Sequence, residues 1–500
     1  MASAARARPR TKRLPATRTH YHTSDVGERY RRQLTARKRA TRAVAISTVI
    51  LGISLATVAR PGLAQMFTRH GRVKTHGWVF PLTVSCNKRY LVDQRGRPFM
   101  VVGDSPQALI GNLSLKDAAA YVADRKALGF NSLIVDVLCA KYTGCRSDGT
   151  TLDGIAPFSV PGDLSTPNPT YFAHVDSVVR LAAKAGIVLF LDPIETGGWL
   201  DVLRRNGVKK DYEYGEFLGK RYKHFGNIVW LNGNDFQSWK NSADDVVAFA
   251  VAKGIASVDH VHPQTIELNA PRSGSLDDPL WRSVIKLDSA YTYYPTYAEI
   301  QKEYDRANFV PVVMIEAGYE FERNASSYSY GDSATLRRQE YWSMLAGATG
   351  QFYGNHYTWQ FADGWQRHLD TTGSRQVGYL VKLFASRPWY RLLPDEKHTL
   401  VTTGYGKPTA DGDVDSSDYV TAAATPDGTL GIAYLPIGGT ITVDLARLKG
   451  SVRASWYDPT DGTYRPVSRA LLAGPRSIHL TAPGKNAAGD GDWVLLLTAA

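Results

Sequence analysis

Short apolar runs alternate with longer amphipathic stretches between residues 98 and 354 of this 500-residue chain. In the stretch 171–186, for example, apolar side chains recur at the spacing of one helix face. Apolar runs of this length, separated by helices, are typical of the strands of a parallel sheet. Eight such runs occur, over residues 98–104, 131–137, 186–192, 227–233, 264–269, 284–291, 310–316 and 350–354.

Eight strand–helix units over this span predict an α/β fold of the (β/α)8 TIM-barrel type, which takes roughly 250 residues. The composition changes after residue 397. Residues 398–500 are rich in Thr, Gly and Asp and contain short runs that alternate between apolar and polar positions. This pattern predicts a small antiparallel β-sandwich. We therefore expect a barrel domain over residues 75–397 and an accessory β-sandwich domain over residues 398–500.

The N-terminal part of the chain has a different character. Residues 1–42 hold 13 Lys and Arg against 2 Asp and Glu, and residues 43–59 carry no charge. Basic residues before an apolar segment predict a disordered cytoplasmic tail, followed by a transmembrane signal anchor or by the core of a signal peptide. We therefore expect the barrel domain to be extracellular. It would be held at the cell membrane by a single pass or, if the segment is cleaved, secreted.

The charge distribution also bears on the partners of the protein. The basic tail carries almost all of the formal net charge of +12, so the remainder of the chain is close to neutral. A nucleic-acid-binding function is therefore not expected. A basic tail next to a membrane would instead contact anionic lipid head groups.

Cysteine usage is sparse. Of the three Cys residues, Cys139 and Cys145 could pair across a short loop in an exported protein, which would leave Cys86 unpaired. The spacing of Cys and His indicates no metal site, and no cofactor is predicted.

Two of the predicted strands end in a carboxylate. The run "NIVWLNGNDF" leads out of the fourth strand to Asp235, and "FVPVVMIEAGYE" leads out of the seventh to Glu316. The C-terminal strand ends of a TIM barrel share the face that carries the active site, so both acids should point into one mouth. Glycoside hydrolysis requires two carboxyl groups beside the scissile bond. The alternative is structural: Asp235 would cap the next helix and Glu316 would form an ion pair.

Further polar and aromatic residues follow the strand ends and are candidates for substrate binding. Asn234 stands beside the first candidate acid and can hydrogen-bond a sugar hydroxyl. The other acids at the rim could equally be helix caps or salt-bridge partners. Aromatic rings stack on the apolar faces of sugars, but they also fill cores. The candidates are Asp104, Asn234, Asp192, Glu195, Tyr293, His356 and Trp359.

At this level of detail the chain resembles the apiosidase-like glycoside hydrolases. These belong to the retaining clan with acids on barrel strands four and seven, and they carry a C-terminal domain named for collagen binding. The resemblance spans roughly residues 88–463. It rests on the stretches "RYLVDQRGRPFMVVGDSPQAL", "IVWLNGNDF", "VVMIEAGYE", "SRPWYRLLPD" and "ASWYDPTDG".

The resemblance implies a role for each acid and a class of substrate. Asp235 would be the acid/base and Glu316 the nucleophile of a double displacement. The substrate would be a poly- or oligosaccharide with a pentofuranoside-type sugar, such as apiosyl or arabinofuranosyl. Two alternatives stay open: a carbohydrate-binding barrel of weak catalytic power, and a barrel hydrolase that acts on pyranose β-glycans.

Overall fold

A curled, mostly parallel sheet with helices outside it forms the larger part of the structure. The structure is a computed structural model and describes residues 77–269, 271–323, 329–472 and 476–500. A small antiparallel sheet precedes the curled sheet, and its strands are β1 (Thr83–Val84), β2 (Leu91–Val92) and β3 (Pro98–Phe99).

The curled sheet is built from the strands that follow. They are β4 (Val101–Asp104), β5 (Ser132–Asp136), β6 (Val188–Asp192), β7 (Ile228–Leu231), β8 (Gln264–Thr265), β9 (Arg272–Ser273), β10 (Asp288–Thr292), β11 (Val312–Glu316), β12 (Tyr319–Glu320) and β13 (Gly350–Asn355). The order across the sheet is β8-β7-β6-β5-β4-β13-β11-β10-β9, and β12 pairs with β13. Each of the eight apolar runs predicted as strands overlaps one strand of the parallel part of this sheet.

The two ends of the parallel part approach each other. Gln264 of β8 forms a parallel bridge with Ile285, three residues before β10, and its carbonyl accepts a 2.9 Å hydrogen bond from the amide of Lys286. The hydroxyls of Thr265 and Ser289 lie 2.7 Å apart across the same gap. The contact is a single bridge and not a continuous ladder. The described fold is therefore a curled α/β sheet, as the alternating pattern predicts.

Helices connect the strands and pack on the outer face of the sheet. The helices are α1 (Leu109–Asn112), α2 (Leu115–Leu128), α3 (Pro169–Ala185), α4 (Thr196–Tyr222), α5 (Ser242–Ala256), α6 (Thr296–Tyr304), α7 (Ser333–Leu345) and α8 (Thr372–Ala385). Their ends carry local stop and start signals. Ser114 caps the N-terminus of α2 by accepting from the amide of Asp117, and Gly129, at φ 102°, ends the helix in the left-handed region.

Both faces of the parallel strands are buried, which explains their continuous apolar runs. The inner face contributes Val101, Ile134, Phe190 and Ile315 to one core cluster, which also contains Leu91 of the preceding small sheet. Alternate residues of the same strands pack outward against the helices. The inner core supports the C-terminal strand ends from below, so the side chains at those ends have a rigid base.

The C-terminal part consists of two antiparallel sheets. The strands are β14 (Leu393–Pro394), β15 (Val401–Thr403), β16 (Thr421–Ala424), β17 (Leu430–Leu435), β18 (Thr440–Asp444), β19 (Val452–Tyr457), β20 (Tyr464–Pro466), β21 (Ser477–Thr481) and β22 (Trp493–Ala499). One sheet has the order β14-β16-β17-β22-β19-β20 and the other β15-β18-β21. Side chains of both sheets share one core cluster, so the sheets pack face to face. Because β14 already belongs to the larger sheet, that sheet begins before residue 398.

The C-terminal sheets pack directly against α7. The guanidinium of Arg337 lies 2.6 Å from the carboxylate of Asp490 and 2.9 Å from that of Asp492. Beside this ion pair, the rings of Tyr341 and Tyr434 stack with their centroids 5.0 Å apart. The described residues from 77 onward accordingly belong to one compact unit. The predicted division at residue 397 is not tested by this packing and stays a prediction.

The predicted single-pass location at the cell membrane is corrected. Across the described ranges, no helix combines the length and the apolar composition that a membrane crossing requires. Residues 1–42 and 43–59, from which the tail and the anchor were predicted, lie outside those ranges. The contact of the tail with anionic lipids stays a prediction.

Candidate active site

A sharp turn after β7 brings Asp235 to the C-terminal edge of the sheet. Gly233 has φ 99° and Asp235 has φ 43°, both in the left-handed region. At Gly233 a Cβ would lie 2.6 Å from Cγ2 of Thr196, so a larger residue would not fit. The amide of Gly233 donates a 2.9 Å hydrogen bond to Oδ1 of Asp192, the last residue of β6. The turn is thus fixed by the neighbouring strand.

Asp235 accepts two side-chain hydrogen bonds. The hydroxyl of Tyr142 donates to Oδ2 at 2.7 Å, and Nδ2 of Asn269 donates to Oδ1 at 2.8 Å. Burial raises the pKa of Asp235, while these two donors act in the opposite direction because they stabilise the anion. The side chain is only partly buried, so a ligand in the mouth of the sheet can reach it.

Glu316 is the last residue of β11 and is 4% exposed. The hydroxyl of Tyr319 donates to Oε2 at 2.7 Å, and the hydroxyl of Tyr293 donates to Oε1. Burial and the neighbouring charge of Asp235 raise the pKa of Glu316, and the two phenol donors oppose this rise. Two phenols that aim at one carboxylate are an arrangement that supports its charged form.

A third carboxylate, Glu267, belongs to the same cluster. It lies two residues after β8 and is fully buried. One oxygen from each of Asp235, Glu267 and Glu316 lies within 4.8 Å of the others. Burial raises the pKa of Glu267, and the charges of Glu316 and Asp235 raise it further. The sequence reasoning missed this residue, although the run "QTIELN" leads out of a predicted strand to it in the same way as at Asp235.

Asn234 is buried beside the carboxylates and takes part in a polar chain. Its Nδ2 donates to Oε1 of Gln107 at 3.3 Å, and Nε2 of Gln107 donates to the hydroxyl of Tyr319 at 3.3 Å. Since Tyr319 donates to Glu316, the chain connects the turn after β7 with the end of β11. Gln107, Tyr319, Tyr142 and Asn269 were not among the predicted site residues, because nothing in their local sequence distinguishes them from ordinary loop residues.

The predicted aromatic residues lie at the rim. Tyr293 contacts Glu316 directly. His356 follows β13, is partly exposed, and places Nδ1 3.3 Å from Oε2 of Glu322, which raises the pKa of the imidazole. Trp359 is partly exposed in the same segment, and its carbonyl accepts from the amide of Ala108. Both residues follow the C-terminal end of β13, and their predicted substrate contacts stay predictions.

Asp104 is a salt-bridge partner, one of the alternatives that the sequence left open for the acids at the rim. It is fully buried at the end of β4, and Oδ2 accepts from the hydroxyl of Tyr121 at 2.6 Å and from Nη1 of Arg125 at 3.2 Å. Its Oδ1 accepts from the amide of Ser105. Both oxygens are thus occupied by the protein, and the residue forms an internal ion pair. The predicted contact of Asp104 with a substrate stays a prediction.

Asp192 and Glu195 are also fully buried. Asp192 supports the turn at Gly233, as described above. One oxygen of Glu195 accepts from the amide of Ala140, and burial raises the pKa of Glu195 to about 7. Oδ2 of Asp192 and Oε1 of Glu195 have no hydrogen-bond partner among the described residues, and the predicted substrate contacts of both acids stay predictions.

The loop after β5 carries Tyr142 into the site. It is closed by a disulfide between Cys139 and Cys145, the pair that the sequence left open. Cys86 is a free, exposed cysteine. The ring of Tyr142 packs where a side chain at Gly197 would otherwise stand. The disulfide and this glycine together fix the position of the phenol over Asp235.

Three clusters in the described part of the chain bring acidic groups close enough to hold a cation. One is Asp235, Glu267 and Glu316. A second contains Cys139, which is held in the disulfide. The third consists of Asp277, Glu299 and Glu303, and Lys302 neutralises it by ion pairs to all three. In the first cluster, hydroxyl, amide and backbone donors already point at the carboxylates.

A curled parallel sheet with a pair of close carboxyl groups at its C-terminal edge defines a protein of the glycoside hydrolase class. A family model described as "Apiosidase-like, catalytic domain" matches residues 85–391. The chain belongs to this apiosidase-like family of glycoside hydrolases. A second model, named for a collagen-binding domain of a collagenase, matches residues 409–498. No curated protein sequence matches the chain.

Solved structures share the fold. One titled "Glycoside hydrolase" aligns with a TM-score of 0.71, and its alignment covers 84% of this chain and 97% of that chain. A glycoside hydrolase family 5 protein from Bacteroides vulgatus ATCC 8482 aligns with a TM-score of 0.72 and coverages of 84% and 95%. Both are 21% identical to this chain, so the likeness is one of fold.

Proposed function

We propose that the protein hydrolyses a glycosidic bond by a retaining double displacement, with Glu316 as nucleophile and Asp235 as acid/base. The observation that carries the proposal is the 4.8 Å limit on the separation of their nearest carboxylate oxygens. Carboxyl groups of retaining enzymes lie about 5–5.5 Å apart, and those of inverting enzymes about 6.5–9.5 Å apart. The limit applies to the nearest oxygens of the two groups and not to their carboxyl centres, and this close approach supports the retaining assignment with direct attack by a carboxylate.

The two steps assign opposite tasks to Asp235. In the first step Glu316 attacks the anomeric carbon, and the proton of Asp235 moves to the leaving oxygen as its bond to carbon breaks. Burial, which raises the pKa of Asp235, supports this role as acid. In the second step Asp235 takes a proton from water, which attacks the glycosyl ester and releases Glu316. The ester is neutral, so the charge that opposed ionisation of Asp235 is gone when the base is needed.

The favoured substrate is a pentofuranoside, such as an apiosyl or arabinofuranosyl group of a larger saccharide. Membership in the apiosidase-like family supports this choice. We include Asn234, Tyr293, His356 and Trp359 as substrate-binding residues. We further infer that the eight parallel strands close into a (β/α)8 barrel, which the bridge between Gln264 and Ile285 supports. In this proposal residues 398–500 are an accessory domain without a catalytic role.

The test combines product analysis with trapping of the nucleophile. Proton NMR of the first product released from an aryl pentofuranoside should show retained anomeric configuration. A 2-deoxy-2-fluoro pentofuranoside with a good leaving group should inactivate the enzyme, and peptide mass spectrometry should place the sugar on Glu316. Glu316→Ala is the matched control and should stay unlabelled. Inverted product, or a label on another residue, would refute the mechanism. Aryl glucosides and mannosides are assayed in parallel, and faster hydrolysis of these substrates would favour the alternative of a hydrolase that acts on pyranosides.

A further inference from the structure

Glu267 is held against the turn that carries Asp235. Its Oε1 accepts a 3.2 Å hydrogen bond from the backbone amide of Asp235. The backbone also joins the two segments, because the amide of Glu267 donates to the carbonyl of Gly233 at 3.1 Å and the amide of Phe236 donates to the carbonyl of Glu267 at 3.2 Å. The side chain of Glu267 is 0% exposed. It therefore cannot move away from Asp235 without breaking this local pairing.

The three carboxyl groups differ in the donors that reach them. Glu316 accepts from two phenols, and Asp235 accepts from a phenol and a side-chain amide. Glu267 accepts from one backbone amide, and its Oε2 has no hydrogen-bond partner among the described residues. A buried carboxylate with an unpaired oxygen is the least stabilised of the three anions. Of the three groups, Glu267 therefore holds a proton most firmly.

The charges of the groups around Glu267 also favour its protonated form. Asp192 at the end of β6, Asp235 after β7 and Glu316 at the end of β11 all add negative charge. Tyr291 of β10 and Tyr319 of β12 are its titratable neighbours from the remaining strands, and both are neutral phenols whose pKa is raised. The strongest charged neighbours are thus all acidic, and each of them favours the neutral form of Glu267.

We propose that Glu267 is a positioning residue that works as a neutral carboxylic acid, holding the backbone of Asp235 with one oxygen and keeping its own proton through both catalytic steps. This inference rests on the proposed function. An ionised Glu267 would place a permanent negative charge beside Asp235 and would hold Asp235 protonated in the second step, when it must act as base. If Glu267 stays neutral, Asp235 alone, and not Glu267, gives a proton to the leaving group and takes one from water.

Two substitutions separate the neutral acid from an ionised one. Glu267→Gln is isosteric and neutral at every pH, and its amide oxygen can still accept from Asp235. We expect kcat/KM of this variant within about fivefold of the native enzyme and both limbs of its pH profile unmoved. Glu267→Leu lacks the acceptor, and we expect kcat to fall by about a hundredfold or more with little change in KM, because the turn is misplaced. A basic limb displaced to lower pH in Glu267→Gln, or native kcat in Glu267→Leu, would overturn the proposal.

A readout that needs no activity completes the test. The infrared difference spectrum between the native protein and Glu267→Gln at neutral pH should contain the carbonyl band of a protonated carboxylic acid. A carboxylate band in its place would show that Glu267 is ionised and would overturn the inference. Inactivity of the native protein on all glycosides would instead count against the proposed function. If Glu267→Leu does not fold, the pH profile of Glu267→Gln and the infrared difference spectrum still decide whether Glu267 is neutral.

Discussion

The hydroxyl of Tyr142 donates a 2.7 Å hydrogen bond to Oδ2 of Asp235, across 93 positions of sequence. The same hydroxyl accepts from Nε2 of Gln237 at 3.0 Å, which orients the phenol toward the carboxylate. Tyr142 is 39% exposed, so it covers Asp235 from the solvent side of the mouth. The disulfide-closed loop therefore influences the acid/base directly, and this contact can be tested by a single hydroxyl deletion.

Tyr142→Phe should move the basic limb of the kcat/KM profile to higher pH. The phenol stabilises ionised Asp235 and so acts to lower its pKa; without the phenol the pKa rises, and the protonated acid persists to higher pH. A hydrogen bond worth about 1 kcal/mol corresponds to roughly a fivefold change in the acid dissociation constant of Asp235. Tyr212→Phe is a matched control, because Tyr212 is 37% exposed and lies on α4. A basic limb that stays in place or moves down would contradict the assignment of the acid.

Tyr319→Phe should move the acidic limb to higher pH. The phenol stabilises ionised Glu316, and its loss raises the pKa of a nucleophile that must be charged, so activity disappears sooner as the pH falls. Hydrogen bonds to charged groups contribute about 1.5–3 kcal/mol, so kcat/KM should fall by roughly 10- to 150-fold. The hydroxyl of Tyr341, buried and without a hydrogen-bond partner in the described structure, provides the control Tyr341→Phe. Equal losses in the two variants would rule out a specific effect on Glu316.

The sequence predicted the parts of the site that follow from strand position. Asp235 and Glu316 were found because apolar runs end in them and parallel strand ends meet on one face. Glu267 obeys the same rule but was passed over, since the strand before it is only two residues long and its apolar signal is weak. Tyr142 could not be found in this way. Its position depends on the path of a loop, on the disulfide and on Gly197.

Asp104 shows what strand position alone leaves undetermined. It also ends a buried strand, yet Arg125 on α2 forms an ion pair with it, and nothing in the sequence of the strand predicts that partner. Pairs of residues far apart in the sequence are equally hard to predict from it. Arg337 and Asp492 stand 155 positions apart, and neither lies in a pattern that predicts the other. Chain folding, and not local composition, determines which buried acids are paired and which are left to react.

The Arg337–Asp492 pair should contribute strongly to stability. Both side chains are almost fully buried, and Arg337 also contacts Asp490 and Gln376. Arg337→Met leaves a buried carboxylate without its partner, which costs about 3–5 kcal/mol in the free energy of unfolding. Arg375→Met removes an exposed pair with Asp370 and should cost less than about 1 kcal/mol. Urea unfolding measures the loss in the free energy of unfolding for both variants. Similar losses would show that the buried pair stabilises the protein no more than the exposed pair does.

Deleting the carboxyl groups of Asp235 and Glu316 one at a time should give two different kinds of defect. Glu316→Ala should lose the first step for every substrate, because no nucleophile remains. Asp235→Ala should still react with dinitrophenyl glycosides, whose leaving group needs no acid, and then stall as the glycosyl enzyme. General acid–base catalysis contributes about 10²- to 10⁴-fold, which sets the expected loss in turnover.

Azide should restore turnover to Asp235→Ala and yield a glycosyl azide of retained configuration. The small anion attacks the glycosyl ester of Glu316 without a base and enters the space left by the missing carboxyl group. Asp153→Ala, which removes an exposed acid, should behave like the native enzyme and gain nothing from azide. The azide product is identified by NMR. An azide of inverted configuration from Asp235→Ala would mean that no ester forms on Glu316, and full activity of Glu316→Ala would remove it from the mechanism.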